Sequence, residues 1–249
     1  MKLFLSCSLL KPLKPEVYTI LSRREIYTYR EGYRLYVKSV QDQRDIENAS
    51  FGKAVEIYYD DTLFLRKMDE NTLEVKTEQV KYTEGPKTLY IFNKDPLNNI
   101  LGIFGNGLVA NKISRIIALI TREMTKEYLS EPLRHLKFKL KEKEDEINKI
   151  EEFRETVEVR VSDIRDPYIA DAWLKGTDLN QSDEYDKLIR DPMIGGKVEY
   201  MAIDYRDHTY YLFSDGRLFT RQASDNILQE VLPIFAITQK LFEVGAVQV

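Results

Sequence analysis

The stretch YLFSDGRLFT, residues 211–220, places two short apolar runs on either side of Asp215-Gly216. That pair suits a two-residue hairpin turn, in which both central residues need positive φ. Upstream, residues 197–205 make a further strand-like run that turns at Arg206-Asp207. Downstream, Ile227, Leu228, Val231, Ile234, Phe235, Thr238 and Leu241 recur at helical spacing. The local order is therefore an antiparallel meander closed by an amphipathic helix. Pro233 lies inside that helix and is expected to kink or split it.

About a hundred residues earlier the chain reads GIFGNGLVAN, residues 102–111. Taken with KTLYIF before it, this predicts strand, strand, an Asn106-Gly107 turn, a third strand LVAN and then a helix from Lys112. Ile113, Ile116, Ile117, Ile120 and Met124 supply that helix with one apolar face. The shared order predicts an α+β fold of two similar halves, each an antiparallel sheet packed by a helix. Between them, LRHLKFKLKEKEDEINKIEEFR has sparse apolar residues among Lys and Glu and reads as a charged bridging helix. The expected division is a β-rich half ending in a helix (1–132), the bridging helix (133–154) and an acidic α+β half (155–249).

Within the first half, residues 16–92 read mostly as strands, rich in Tyr, Val, Thr and Ile. The run from Arg23 to Lys38 forms a hairpin pattern turning at Glu31-Gly32, and residues 3–10 suit a buried first strand. In the second half, Asp166-Pro167 reads as a helix start, with Trp173 as a core anchor on a short helix. Ser182 with Asp183 and Glu184 marks another capped helix.

With its preceding β-α segment the second half reads β-α-β-β-β-α. Its stretch LFSDGRLFTRQASDNILQEVLPIFAITQKL resembles half of a TATA-box-binding protein. The resemblance implies a tandem duplication whose curved sheet carries its helices on the convex side and lies on the DNA minor groove. This chain has Thr220-Arg221-Gln222 where that family has a small Thr-Gly-Ala corner. The likeness therefore bears on shape and not on TATA recognition.

Charge and composition narrow the function classes. Residues 1–154 hold 27 Lys and Arg against 24 Asp and Glu, a net of +3; residues 155–249 hold 10 against 17, a net of −7. A half carrying −7 would repel phosphates, so bound nucleic acid is expected on the first half. With one cysteine, Cys7, and two histidines, His135 and His208, the chain offers neither a disulfide nor a zinc-ligand pattern. A reducing, cytoplasmic setting without cofactors is expected. No run approaches the roughly 20 apolar residues that span a bilayer, so no membrane partner is expected.

Three sets of residues could carry a function. Arg23, Arg24, Tyr27, Tyr29, Arg30 and Arg34 interleave aromatic and basic side chains on one hairpin, which suits stacked bases and their phosphates. Asp163, Asp171, Asp178, Asp183 and Glu184 are dense enough to dock a basic protein. Asp60 and Asp61, helped by Asp204 or Glu56, could hold Mg²⁺ if a turn brings them together. The leading expectation is a non-enzymatic binding or scaffold protein that engages a macromolecule through sheet or acidic-helix surfaces. The alternatives are a single-stranded nucleic-acid binder and a metal-dependent nuclease or phosphoesterase. The partner stays open between protein and nucleic acid, and so does homo-oligomer formation.

Overall fold

In the computed structural model, residues 3–44, 50–68, 71–105, 107–177, 179–223 and 227–248 are described. The protein is α+β and is organised by one large antiparallel sheet. In chain order the first elements are β1 (Leu3–Pro12), α1 (Pro15–Ser22), β2 (Ile26–Arg30), β3 (Tyr33–Arg44), β4 (Ser50–Met68), β5 (Val75–Phe92), β6 (Ile100–Phe104) and α2 (Gly107–Thr125). Then come β7 (Leu133–His135), β8 (Lys137–Phe138), α3 (Glu144–Asn148), β9 (Phe153–Ser162), β10 (Ala172–Lys175) and α4 (Asp183–Tyr185), which continues into a π-turn over Asp186–Arg190. The chain closes with β11 (Lys197–Tyr205), β12 (His208–Phe213), β13 (Arg217–Ala223), α5 (Ile227–Glu243) and β14 (Val247–Gln248).

Across the sheet the strands run β10-β9-β11-β12-β13-β1-β6-β5-β4-β3-β2, with β7 pairing β1 beyond the end of β13 and β14 pairing β8 separately. The N-terminal strand β1 is thus central: Cys7 faces Leu218 of β13 on one side and Phe104 of β6 on the other. Strand side chains alternate between faces, and here each face has its own core. On face one, Leu10, Leu35, Val37, Val55, Ile57, Leu89, Ile91, Leu101 and Ile103 pack under α1 and α2. On face two, Cys7, Leu9, Phe92, Phe104, Leu212 and Leu218 pack under α5, whose Phe235 ring lies 5.7 Å from Phe51 and 5.3 Å from Phe92.

The two long helices therefore cover opposite faces. A saddle with its helices on one convex side, which the resemblance implied, does not form. α2 draws its contact with the sheet from Ala110, Ile113, Ile116, Ile117 and Ile120; Met124, assigned to that face, is exposed. α5 passes through Pro233 without a break.

Five other expectations are corrected. Residues 133–154 do not form a bridging helix: they contain β7, β8 and α3 and lead into β9. Leu136, Phe138 and Leu140 are buried at a period of two, so this run behaves as extended chain with its lysines outward. α1 interrupts the β-rich region, started by Pro15 at the first helical turn and anchored by buried Val17, Ile20 and Leu21. LVAN is the first turn of α2 and not a third strand, because the chain leaves β6 through Gly105 at φ 147° and is helical from Gly107; Asn106 lies outside the described residues. Around Asp166 no helix forms. Its carboxylate instead accepts a hydrogen bond from the Tyr168 N–H, as in an Asx turn, and Trp173 lies on β10 with 63% of its surface exposed.

No helix among the described residues is long and apolar enough to cross a membrane.

Candidate binding surfaces

The Arg23–Lys38 hairpin forms as expected, turning at Gly32 with φ 68°. Several of its rings and guanidinium groups are already engaged within the fold. Tyr27 and Tyr29 are half-buried against the core under α1 and α2. The Tyr27 hydroxyl donates to Glu25 at 2.9 Å, and burial together with that carboxylate pushes its pKa up to about 12. The Tyr29 hydroxyl donates to the Asp60 carbonyl. Arg23 and Arg24 are exposed, while Arg30 and Arg34 lie over Tyr33 and Tyr36 at 5.5 and 5.3 Å.

Tyr29, Arg30, Asp60 and Asp61 do meet, together with Tyr33, Lys112 and Arg115, around a cleft of about 700 Å³ beside α2. The two carboxylates are directed to different partners. Asp60, 2% exposed, accepts from Thr83 Oγ1 at 2.9 Å and the Arg34 N–H at 3.1 Å, with Lys81 Nζ at 3.3 Å. Asp61 pairs with Lys112 and accepts from the Tyr82 hydroxyl at 3.2 Å. Asp204 lies on β11 and accepts from Thr209 at 2.6 Å, six strand positions from β4 or ~29 Å. Among the described residues, no group of three His, Cys, Asp or Glu side chains could hold a metal ion.

Burial alone would raise the Asp60 carboxyl, but the Thr83 and Lys81 bonds and the Lys81 charge hold it below its usual 3.8. A depressed carboxyl contributes stability above the unfolded pKa and loses it as pH falls through the folded value. Asp60→Asn should thus cost about 1–3 kcal/mol at pH 7. Urea titrations from pH 7 to pH 3 should show that deficit shrinking; a deficit independent of pH would contradict the charge-based role.

The acidic residues fall on two segments. Asp163 and Asp171 lie in the loop between β9 and β10, and Asp163 has φ 53°. Asp183 and Glu184 occupy the exposed first turn of α4, where Ser182 Oγ accepts from the Tyr185 N–H at 3.1 Å as expected of a cap. Asp178 lies outside the described residues.

A different surface emerges from the topology. Among the described residues, α1 and α2 cover face one from β1 to β2, and no helix packs on the same face of β9 to β13. Two rows of opposed residues cross it: Trp173–Arg160–Tyr200–Phe213, and Lys175–Glu158–Ala202–Tyr211–Phe219. Tyr200 packs against Tyr211 and Phe213 with centroids 5.7 and 5.3 Å apart, and Tyr211 against Phe219 at 5.7 Å. Tyr211 is buried and Tyr200, Phe213 and Phe219 are half-buried, but none of them packs into either core cluster. Arg217 lies over Phe213 at 4.6 Å and Arg221 over Tyr211 at 5.0 Å.

Beneath the rings, the buried Glu158 carboxylate accepts from the Tyr200 hydroxyl at 2.6 Å and Tyr211 at 3.5 Å, with Lys175 Nζ 3.8 Å away. Those bonds fix ring orientation, and Trp173, Arg160, Lys175 and Arg221 remain exposed around them. The alternation of VEYMAIDY and TYYLF placed these residues on one face, but nothing in it showed that the face would stay open. No family model, curated protein or solved structure matches this chain.

Proposed function

We propose that the protein is a non-enzymatic binding module that holds single-stranded nucleic acid on the open face of β9 to β13. The observation that carries this reading is the row Trp173–Arg160–Tyr200–Phe213, in which flat rings and a guanidinium stand at strand spacing on an uncovered sheet. Every nucleobase has a π-face, so rings and guanidinium planes can stack a flexible strand without reading its sequence. Arg160, Lys175, Arg217 and Arg221 supply local positive charge within a segment whose net is −7. The preference for single strands rests on those rings, which a paired helix would keep from the bases.

The strand order also supports two related halves. β4-β5-β6-α2 and β11-β12-β13-α5 are each three antiparallel strands followed by a helix, and each third strand pairs antiparallel to β1. A two-fold axis along β1 would exchange them and would put the helices on opposite faces. A reducing cytoplasmic setting suits the fully buried Cys7. Asp60 and Asp61 are already engaged by lysines, so no observation favours the phosphoesterase alternative.

The test is fluorescence anisotropy with labelled single- and double-stranded DNA and RNA at low and physiological salt. Trp173→Ala/Phe213→Ala should weaken single-strand binding at least about thirtyfold, since each stacked base contributes about 1–3 kcal/mol. Arg30→Gln/Arg34→Gln should change it little. The reverse pattern would move the site to the hairpin. No binding even at low salt would sink the nucleic-acid reading and leave a protein as the occupant of this face.

A further inference from the structure

The lysine-rich run at 137–141 finds no role in that reading. Phe138 and Leu140 point into the core, so Lys137, Lys139 and Lys141 project to the other side. The Phe138 N–H donates to the Ser214 carbonyl at 3.0 Å, which lays this segment across the β12–β13 turn. There the three lysines line a cavity of about 610 Å³ with Arg165 and Lys197, and with Glu142, Asp163 and Asp215 as its acidic members. Five cations against three carboxylates leave a net of +2.

Asp215 is turned to Arg217 at 2.8 Å, and Lys197 to Glu199 at 2.9 Å. Lys141 donates to the carbonyls of Gly195 and Gly196 at 3.3 and 2.8 Å, which fixes one wall of the cavity. Among the described residues, no hydrogen bond or ion pair engages the side chains of Lys137, Lys139 or Arg165. Lys139 is half-buried all the same. Holding such cations together in a concavity costs energy through their mutual repulsion, and a bound dianion would remove that cost.

We propose that this cavity binds a phosphoryl group. Its volume falls within the roughly 300–1,000 Å³ of small-ligand sites, and ammonium groups with an arginine fork match phosphate oxygens. Ser214, which lines the cavity, directly follows Phe213 of the aromatic row in the chain. The phosphoryl group belongs either to a free phosphorylated small molecule or to the terminal phosphate of a strand lying on that row. The second source rests on the function proposed above; the first does not.

Calorimetric titration with inorganic pyrophosphate tests the site itself. Lys139→Gln/Arg165→Gln should weaken binding at least tenfold without lowering the melting temperature. Arg66→Gln/Lys67→Gln, which removes two charges from the β4–β5 arm, should leave binding unchanged. Anisotropy with 5′-phosphorylated, 3′-phosphorylated and unphosphorylated oligonucleotides separates the two sources. A terminal phosphate that tightens binding only when Lys139 and Arg165 are present assigns the strand end. Saturable pyrophosphate binding without any end effect assigns the free ligand. Absence of both effects, or equal losses in the two double variants, would overturn the site, and neither result depends on whether an unphosphorylated strand binds.

Discussion

Glu144→Gln should destabilise the protein by about 3 kcal/mol, although the residue lies in a stretch that reads as solvated helix. Glu144 is 3% exposed. It accepts two hydrogen bonds at 2.9 Å from Arg190, one to each carboxylate oxygen, and another at 3.1 Å from the buried Tyr185 hydroxyl; Asn148 donates to it as well. These bonds tie α3 to α4 and the π-turn, two elements about forty residues apart in sequence. Neutralising the carboxylate leaves the guanidinium without its charged buried partner. Arg190 also reaches Asp145 and Asp186 and is 38% exposed, so the lower end of the usual range for a broken buried pair applies. A urea double-mutant cycle with Arg190→Gln should return a coupling above about 1 kcal/mol. Additive effects would show that solvent already screens the pair.

The second large effect is expected at Gly216→Ala. Gly216 sits in the Asp215-Gly216 turn with φ 81°, where an added Cβ is strained. That Cβ would also fall against the backbone of Leu136, 2.7 Å from its carbonyl carbon. The Gly216 carbonyl, meanwhile, accepts from the Leu9 N–H at 3.2 Å. Strain and clash act together at the point where β1, β7 and the β12–β13 turn converge, so neither side can move aside without breaking sheet pairs. A loss of more than about 3 kcal/mol follows, seen in thermal melts as a drop of roughly 6–12 °C for a chain of this size. Asp215→Asn changes the same turn without adding a Cβ and should cost under about 1 kcal/mol. A mild Gly216→Ala would mean that the Leu136 backbone yields freely.

Residue patterns located most elements correctly wherever one period dominated. Ile113, Ile116, Ile117 and Ile120 marked α2, and the face containing Val231, Ile234 and Phe235 marked α5. Asp215-Gly216 and Glu31-Gly32 marked real turns, although Gly216 alone and not Asp215 takes the positive φ expected of both. Errors came where two periods overlapped. Leu133, Leu136, Leu140, Ile147 and Ile150 fit helical spacing loosely, whereas Leu136, Phe138 and Leu140 fit strand spacing closely. The backbone pairing of Phe138 with Val247 decided between them. Val17, Ile20 and Leu21 carried the signal for α1, but in only eight residues between strands.

The candidate site was legible in kind and not in place. Aromatic and basic residues alternate both in the 23–38 hairpin and in the strands of the second half, and the same alternation serves a packed face or an open one. Tyr27 and Tyr29 are covered because α1 and α2 return across β2 and β3 on that side. Tyr200 and Phe213, likewise half-buried, have no described helix over them because α5 packs on the opposite face, with Phe235 against Phe51 and Phe92.

By itself, then, the sequence determined the local grammar of this protein: strands from alternation, turns from Asp-Gly and Glu-Gly pairs, and long helices from their apolar faces. Those signals act between neighbours a few residues apart. The central place of β1, the division of α2 and α5 between faces and the absence of a described helix over the β9–β13 rings were decided only by tertiary structure. Alternation gives every strand two faces of fixed composition, and burial of apolar surface selects which one a helix covers only once segments more than a hundred residues apart have met.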